Sequence, residues 1–254
     1  MHAALRLDYG PGPAQYAELT LPRRTDAPAK GIVVIIHGGY WRAGYSAELG
    51  RPLARDLAAR GWTCWNLEYR RAGNGGGWPE TFDDVAAGID ALAPAAEKHG
   101  LDLDRVTALG HSAGAQLAVW AAGRADARVP LTGVVSQSGL LDLAAAVALN
   151  LSNGAVVNFL GATPGEDPQR YEQADPLRRL PLAVPVIALH GTADSTVPVS
   201  QSAEYVAAAA ACGSEAELRM VPGDHYGMIT PGTAAWEAVV AAVADAARRA
   251  PQPH

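Results

Sequence analysis

Arg105-Val-Thr-Ala-Leu-Gly110-His-Ser112-Ala-Gly114-Ala115 is the stretch on which the reading of this chain turns. Residues 105–109 form a short apolar run of the kind that fills a buried strand, and a helical pattern runs from residue 113 to 123. Between them lies G-x-S-x-G, in the order strand, sharp turn, helix that gives the motif its meaning. A serine in strained backbone geometry aims its hydroxyl off the sheet only when its neighbours are small, which Gly110 and Gly114 provide. Ser112 is therefore the candidate nucleophile.

Outward from this turn the same alternation repeats. Residues 31–36, 62–67, 131–135, 185–189 and 216–221 are further strand-like runs, the first of them unalternating, as in a strand buried on both faces. Residues 47–60, 81–98, 199–211 and 233–249 have helical periodicity, whereas 14–21 alternate only weakly. Strand followed by helix predicts an α/β fold with a mostly parallel central sheet and helices on both faces. The interval 136–180 breaks the rhythm with Asp, Asn, Gly and Pro. It predicts a small cap or lid insertion, around 140–180, on a single domain spanning 1–254.

Composition excludes several other classes. With 254 residues, 49% hydrophobic and 18% charged, the chain is neither disordered nor fibrous. Lys and Arg number 20 against 26 Asp and Glu, so a surface built to neutralise nucleic-acid phosphates is not expected. Cys64 and Cys212 stand far apart without C-x-x-C or Cys/His spacing, which suggests neither a disulfide framework nor a zinc site. No apolar run reaches membrane-spanning length, and Asp8, Gly10 and Pro11 interrupt the first residues. A cytoplasmic chain with no membrane partner is expected.

A serine hydroxyl is a poor nucleophile until a base takes its proton, and the base needs an acid to orient it. In this architecture the chain order is Ser, then Asp or Glu, then His. Asp194 follows the 185–189 run in His190-Gly-Thr-Ala-Asp194, and His225 follows the 216–221 run in Gly223-Asp-His225-Tyr-Gly227. Parallel strands would bring both out at the sheet edge that carries Ser112, where open α/β sheets bind ligands. Asp142, Asp175 and Asp224 are rival acids, and His190, which precedes the acid, reads as a structural hydrogen-bonded residue. The negative charge that develops on a carbonyl oxygen needs N–H donors, one of them from Ala113.

The run 31–36 leads into His37-Gly-Gly39-Tyr40-Trp41, whose glycines let backbone amides approach a substrate and whose aromatic pair can wall a pocket. Trp41, Trp78 and Tyr226 are the candidate substrate-binding walls, while Trp62, Trp65 and Trp120 fall in strand or helix patterns and read as core. The cluster Gly73-Asn-Gly-Gly-Gly77 lacks both a phosphate-loop ending and a full G-x-G-x-x-G, and reads as a loop at the cleft rim.

These residues together resemble the α/β-hydrolase superfamily over nearly the whole chain. Within it they resemble the H-G-G-x-W enzymes, the kynurenine formamidases (arylformamidases) and related small carboxylesterases. His37-Gly-Gly-Tyr-Trp41 matches that signature in full, Gly110-His-Ser-Ala-Gly-Ala115 is similar to its elbow, and Ser138-Gly-Leu-Leu-Asp142 resembles the segment after the next strand. The resemblance implies oxyanion donors at Gly39 and Tyr40 and a triad of Ser112, Asp194 and His225. It implies a serine hydrolase that cleaves a small-molecule acyl substrate, formamide or ester, through an acyl-enzyme, with no metal and no organic cofactor. The alternative is a non-catalytic small-ligand-binding protein on the same scaffold.

Overall fold

The computed structural model describes residues 4–22 and 28–249. Two strands, β1 (Leu5–Asp8) and β2 (Tyr16–Thr20), precede β3 (Ile32–Ile36). A 3-10 turn over Ala47–Gly50 leads into α1 (Arg51–Ala59), which carries Pro52 in its first turn, where a missing N–H is no loss. Next come β4 (Thr63–Leu67), α2 (Glu80–Asp90), α3 (Leu92–His99), β5 (Val106–His111), α4 (Ala113–Ala122) and β6 (Gly133–Gln137). Three short helices follow, α5 (Leu143–Ala148), α6 (Ala155–Leu160) and α7 (Pro168–Ala174), with a 3-10 turn over Leu177–Arg179. Then β7 (Val186–Gly191), α8 (Ser200–Ala211), β8 (Ala216–Val221) and α9 (Ala234–Arg249) complete the order.

The strands form one sheet in the order β1-β2-β4-β3-β5-β6-β7-β8. β2 runs antiparallel to both its neighbours, and every other pair is parallel. Ile32, Val34 and Ile36 of β3 belong to one apolar cluster and Val33 and Ile35 to another, as the two-residue period of a strand requires. The first cluster takes Phe82 of α2, Leu117 of α4, Phe159 of α6 and Tyr205 of α8; the second takes Leu53 and Leu57 of α1 with Trp236, Val239 and Val243 of α9. Burial on both faces is why these strands are apolar without alternation.

Two elements depart from the sequence expectation. β1 was not foreseen: its Leu-Arg-Leu-Asp is largely exposed at the edge of the sheet, where hydrophobic patterning is weak. The single helix expected over 81–98 is two, α2 and α3, broken at Ala91. Pro94 explains the break, because it has no N–H for the carbonyl of Asp90 and its ring crowds that carbonyl.

β3 sits between β4 and β5, so the chain leaves β3 for one side of the sheet and later returns on the other. The crevice at the carboxyl ends of β3 and β5 is the topological switch point, where such sheets bind ligands. The loops after β6, β7 and β8 emerge along the same edge. A groove of about 480 Å³ lined by Lys30, Trp62, Arg105, Ala244, Ala247 and Arg248 flanks the opposite strand ends and shares no residue with these loops. Among the described residues, no helix is long and apolar enough to cross a membrane.

Candidate active site

Ser112 occupies the single residue between β5 and α4, with φ 54° and ψ −120°. For a residue bearing a Cβ this geometry costs about 1–3 kcal/mol, so close packing must impose it. A Cβ on Gly114 would overlap the carbonyl oxygen of Ile36, and one on Gly110 would overlap that of Gly114. The glycines thus let strand and helix approach each other, and the Ser112 amide is fixed by the carbonyl of Gln137 at 2.8 Å. Because α4 begins at Ala113, its positive dipole end lies beside the serine.

The loops after β7 and β8 bring an acid and a base together. His225 donates Nδ1–H to Asp194 Oδ2 at 2.7 Å, and both side chains are almost fully buried. That bond sets the tautomer and leaves Nε2 of a neutral ring to accept a proton. Asp194 Oδ1 accepts the amides of Thr196 at 2.8 Å and Val197 at 2.9 Å. Burial alone would raise the Asp194 carboxyl, but the bonds from His225 and Val197 outweigh it and hold the group well below the usual carboxylate range.

His111, the residue before Ser112, joins this pair to the elbow. Its Nε2–H donates to the His225 carbonyl at 2.9 Å, and the two rings lie 4.6 Å apart. Burial, then the neighbouring His225, pushes the His111 imidazole down to about 3. The fold therefore keeps His111 neutral beside His225. His190 donates Nε2–H to the carbonyl of Val197 at 2.9 Å and holds Ser202 Oγ at 2.9 Å through Nδ1, which shapes the Asp194 loop.

The rival carboxylates are occupied elsewhere. Asp224 Oδ1 accepts the amides of Tyr226 and Gly227, and Asp142 caps α5 through Ala145. Asp175 accepts the amides of Ala144 and Leu177, and burial pushes it up to about 6.

Gly39, Tyr40 and Trp41 all lie at positive φ, 113°, 49° and 53°. Among the described residues, no protein acceptor is found for the amides of Gly39, Tyr40 and Ala113. Tyr40 donates its hydroxyl to the carbonyl of Thr196 at 3.0 Å, which spans from this loop to the acid loop. Burial and then the charge of Asp194 push the Tyr40 phenol up to about 12, so it stays a donor. Tyr69 stacks on His37 at 4.5 Å and donates to the His37 carbonyl at 2.6 Å.

Below that stack, Glu68 accepts the amides of Ala47 at 2.8 Å and Tyr69 at 3.0 Å and pairs with Arg71. Burial would raise Glu68, but the adjacent His37, the Ala47 amide and Arg71 together bring it down to about 2.

Trp41 is not the wall residue expected from the sequence. It is fully buried, its indole stacks on Phe159 at 4.5 Å, and its Nε1–H donates to Gln116 Oε1 at 3.0 Å. Positive φ at residues 40 and 41 turns that side chain under the loop. Trp78 is half-buried and packs edge-on against Phe82 at 4.8 Å. Tyr226 is 56% exposed and lies edge-on to His225 at 5.3 Å, on the rim.

Sequence reasoning passed over Tyr45, whose ring fills the space a Cβ on Gly39 would need, and over Glu68, Tyr69, Arg71 and Gln116. Two signals were present: a charged Glu68-Tyr-Arg-Arg71 directly after a buried strand, and one polar side chain in the otherwise apolar α4.

Comparison with known proteins follows the same lines. The family model BD-FAE matches residues 17–208. Esterase LipC of Mycobacterium tuberculosis (strain ATCC 25618 / H37Rv) is 27% identical over 229 residues, which are 79% of this chain and 53% of that protein. The isoprenylcysteine alpha-carbonyl methylesterase ICME of Arabidopsis thaliana is 27% identical over 241 residues, 85% of this chain and 54% of that one. The chain spans about half the length of the curated relatives it matches.

A solved structure, the truncated form of a carbohydrate esterase from gut microbiota, has a TM-score of 0.80 at 19% identity and covers 98% of this chain and 97% of its own, a likeness of fold. Sheet order, elbow and matched sequence agree, and the chain belongs to the BD-FAE family, on the α/β-hydrolase fold.

Proposed function

We propose that this chain is a carboxylic ester hydrolase that works through an acyl-enzyme on a small acyl substrate. One observation carries the reading: a strained serine stands at the end of β5, tied through His111 to a His225–Asp194 pair from the neighbouring loops. In this reading Ser112 Oγ attacks the ester carbonyl as His225 Nε2 takes the hydroxyl proton. The amides of Gly39, Tyr40 and Ala113 hold the oxyanion, and Asp194 stabilises the imidazolium.

Collapse of the tetrahedral intermediate breaks the bond to the alcohol, which leaves with the proton from His225. Water then enters, gives a proton to His225, attacks the acyl carbon, and the acid departs as Ser112 regains its proton.

That the relatives are an esterase, LipC, and a methylesterase, ICME, supports an ester rather than a formamide as substrate. The test compares p-nitrophenyl acetate and butyrate with N-formylkynurenine, on the wild type and on Ser112→Ala. Ester turnover by the wild type is expected, with a loss of at least ~10³-fold in kcat for Ser112→Ala and unchanged thermal unfolding. A kcat/KM for N-formylkynurenine about tenfold above that for the esters would make the chain an arylformamidase. No turnover of either, with no labelling of Ser112 by a fluorophosphonate, would leave the ligand-binding alternative.

A further inference from the structure

Gln116 is fully buried, one helical turn after Ser112, and is used at both ends. Its Oε1 accepts Trp41 Nε1–H at 3.0 Å, and its Nε2 donates to the Ala174 carbonyl at 2.9 Å. The amide has one possible orientation here, since an indole N–H only donates and a carbonyl only accepts. Trp41 is the last of three successive positive-φ residues, and the amides of the first two are the proposed oxyanion donors. Ala174 ends α7, and the next residue, Asp175, accepts the Ala144 amide near the start of α5.

A side chain on the nucleophile helix thus grips the loop that faces the substrate and the insertion between β6 and β7. Phe159 of α6 covers the other face of this contact by stacking on Trp41 with an interplanar angle of 2°.

We propose that Gln116 is the positioning residue of this site: through Trp41 it sets the Gly39–Tyr40 amides relative to Ser112, and through Ala174 it fixes the insertion to the same helix. This rests on the ester-hydrolase reading for its kinetic consequence, though not for its structural one. Gln116 touches no substrate, so its loss acts on the transition state, where donor placement matters, more than on ground-state binding.

The test measures kcat and KM on p-nitrophenyl butyrate for Gln116→Leu, Trp41→Phe and the pair, per active site titrated with a fluorophosphonate. Alongside, the hydrogen exchange of the Trp41 indole N–H is followed by NMR. The expected result is a fall in kcat of about 10- to 100-fold for Gln116→Leu, with KM within about threefold. The double variant should be no slower than the slower single one, because both changes break the same Trp41–Gln116 bond. Indole exchange should accelerate at least about tenfold in Gln116→Leu.

Gln116→Glu keeps the acceptor for Trp41, and should retain more of kcat than Gln116→Leu. A purely structural Gln116 would lower the unfolding temperature while leaving kcat per titrated site within about threefold and the indole protected, and that result overturns the proposal. So does independent multiplication of the two single effects. If the wild type neither turns over esters nor takes the label, the hydrolase reading fails. The indole exchange of Gln116→Leu then decides the positioning role, with unchanged protection overturning it.

Discussion

The elbow at Ser112 and the loop at Gly39–Trp41 both hold backbone at positive φ, and they do so by opposite means. The elbow is clamped by its own neighbours: two glycines within two residues of Ser112 let α4 press against β3 and β5. The loop is held by groups from far along the chain: the Gln116 and Phe159 side chains on Trp41, the Thr196 carbonyl on the Tyr40 hydroxyl, and the Tyr69 hydroxyl on the His37 carbonyl. Geometry imposed by close neighbours is written in a short motif, whereas geometry imposed from a distance exists only once the sheet has assembled.

The largest expected effect tests whether the distant assembly matters as much as the local one. Asp194→Asn keeps the shape of the acid but removes the charge that orients His225, and should lower kcat by about 10³- to 10⁴-fold on an aryl ester. A loss under about tenfold would show that the His225–Asp194 bond is dispensable. Next in size, Gly114→Ala tests the local half. Its Cβ would overlap the Ile36 carbonyl, so urea unfolding should show a loss of about 3 kcal/mol or more. Wild-type stability in this variant would mean that the elbow is looser than its glycines imply.

The same contrast explains what was legible. That Ser112, Asp194 and His225 come out at one edge of the sheet was legible from a motif, a chain order and the strand ends that precede them, because parallel strands deliver their following loops to one edge. The strands were legible for a related reason, since burial on both faces leaves apolar runs such as Ile32–Ile36. Trp41 was misread as a wall because the sign of φ at residues 40 and 41 is not visible in H-G-G-Y-W, and that sign sends the indole inward. Gln116 was missed because a lone glutamine in a helix has no meaning until Trp41 and Ala174 are seen on either side of it.

The smallest expected effect is on the pH dependence of stability, and it separates the two regions again. Glu68 beneath the Gly39–Trp41 loop is held at about 2 against an ordinary 4.5. It therefore contributes stability above pH ~4.5 that is lost as pH falls toward 2, an effect of about 3 kcal/mol. Asp175 in the insertion has the opposite sign, raised from 3.8 to about 6. Its share is present below pH ~4 and lost as pH rises through 6, by a similar ~3 kcal/mol. Urea midpoints from pH 3 to 8 should fall on the acid side in the wild type and in Asp175→Asn alike. Only Asp175→Asn should escape the decline between pH 4 and 6. A decline there that persists in the variant would place the titrating group elsewhere.

The central claim is that the two turns meet at one reacting centre, and a structure of the protein after reaction with diethyl p-nitrophenyl phosphate tests it directly. The account predicts a covalent bond from Ser112 Oγ to phosphorus, with the phosphoryl oxygen about 3 Å from at least two of the amides of Gly39, Tyr40 and Ala113. Phosphorus on any other residue, or a phosphoryl oxygen turned away from those amides, would contradict it.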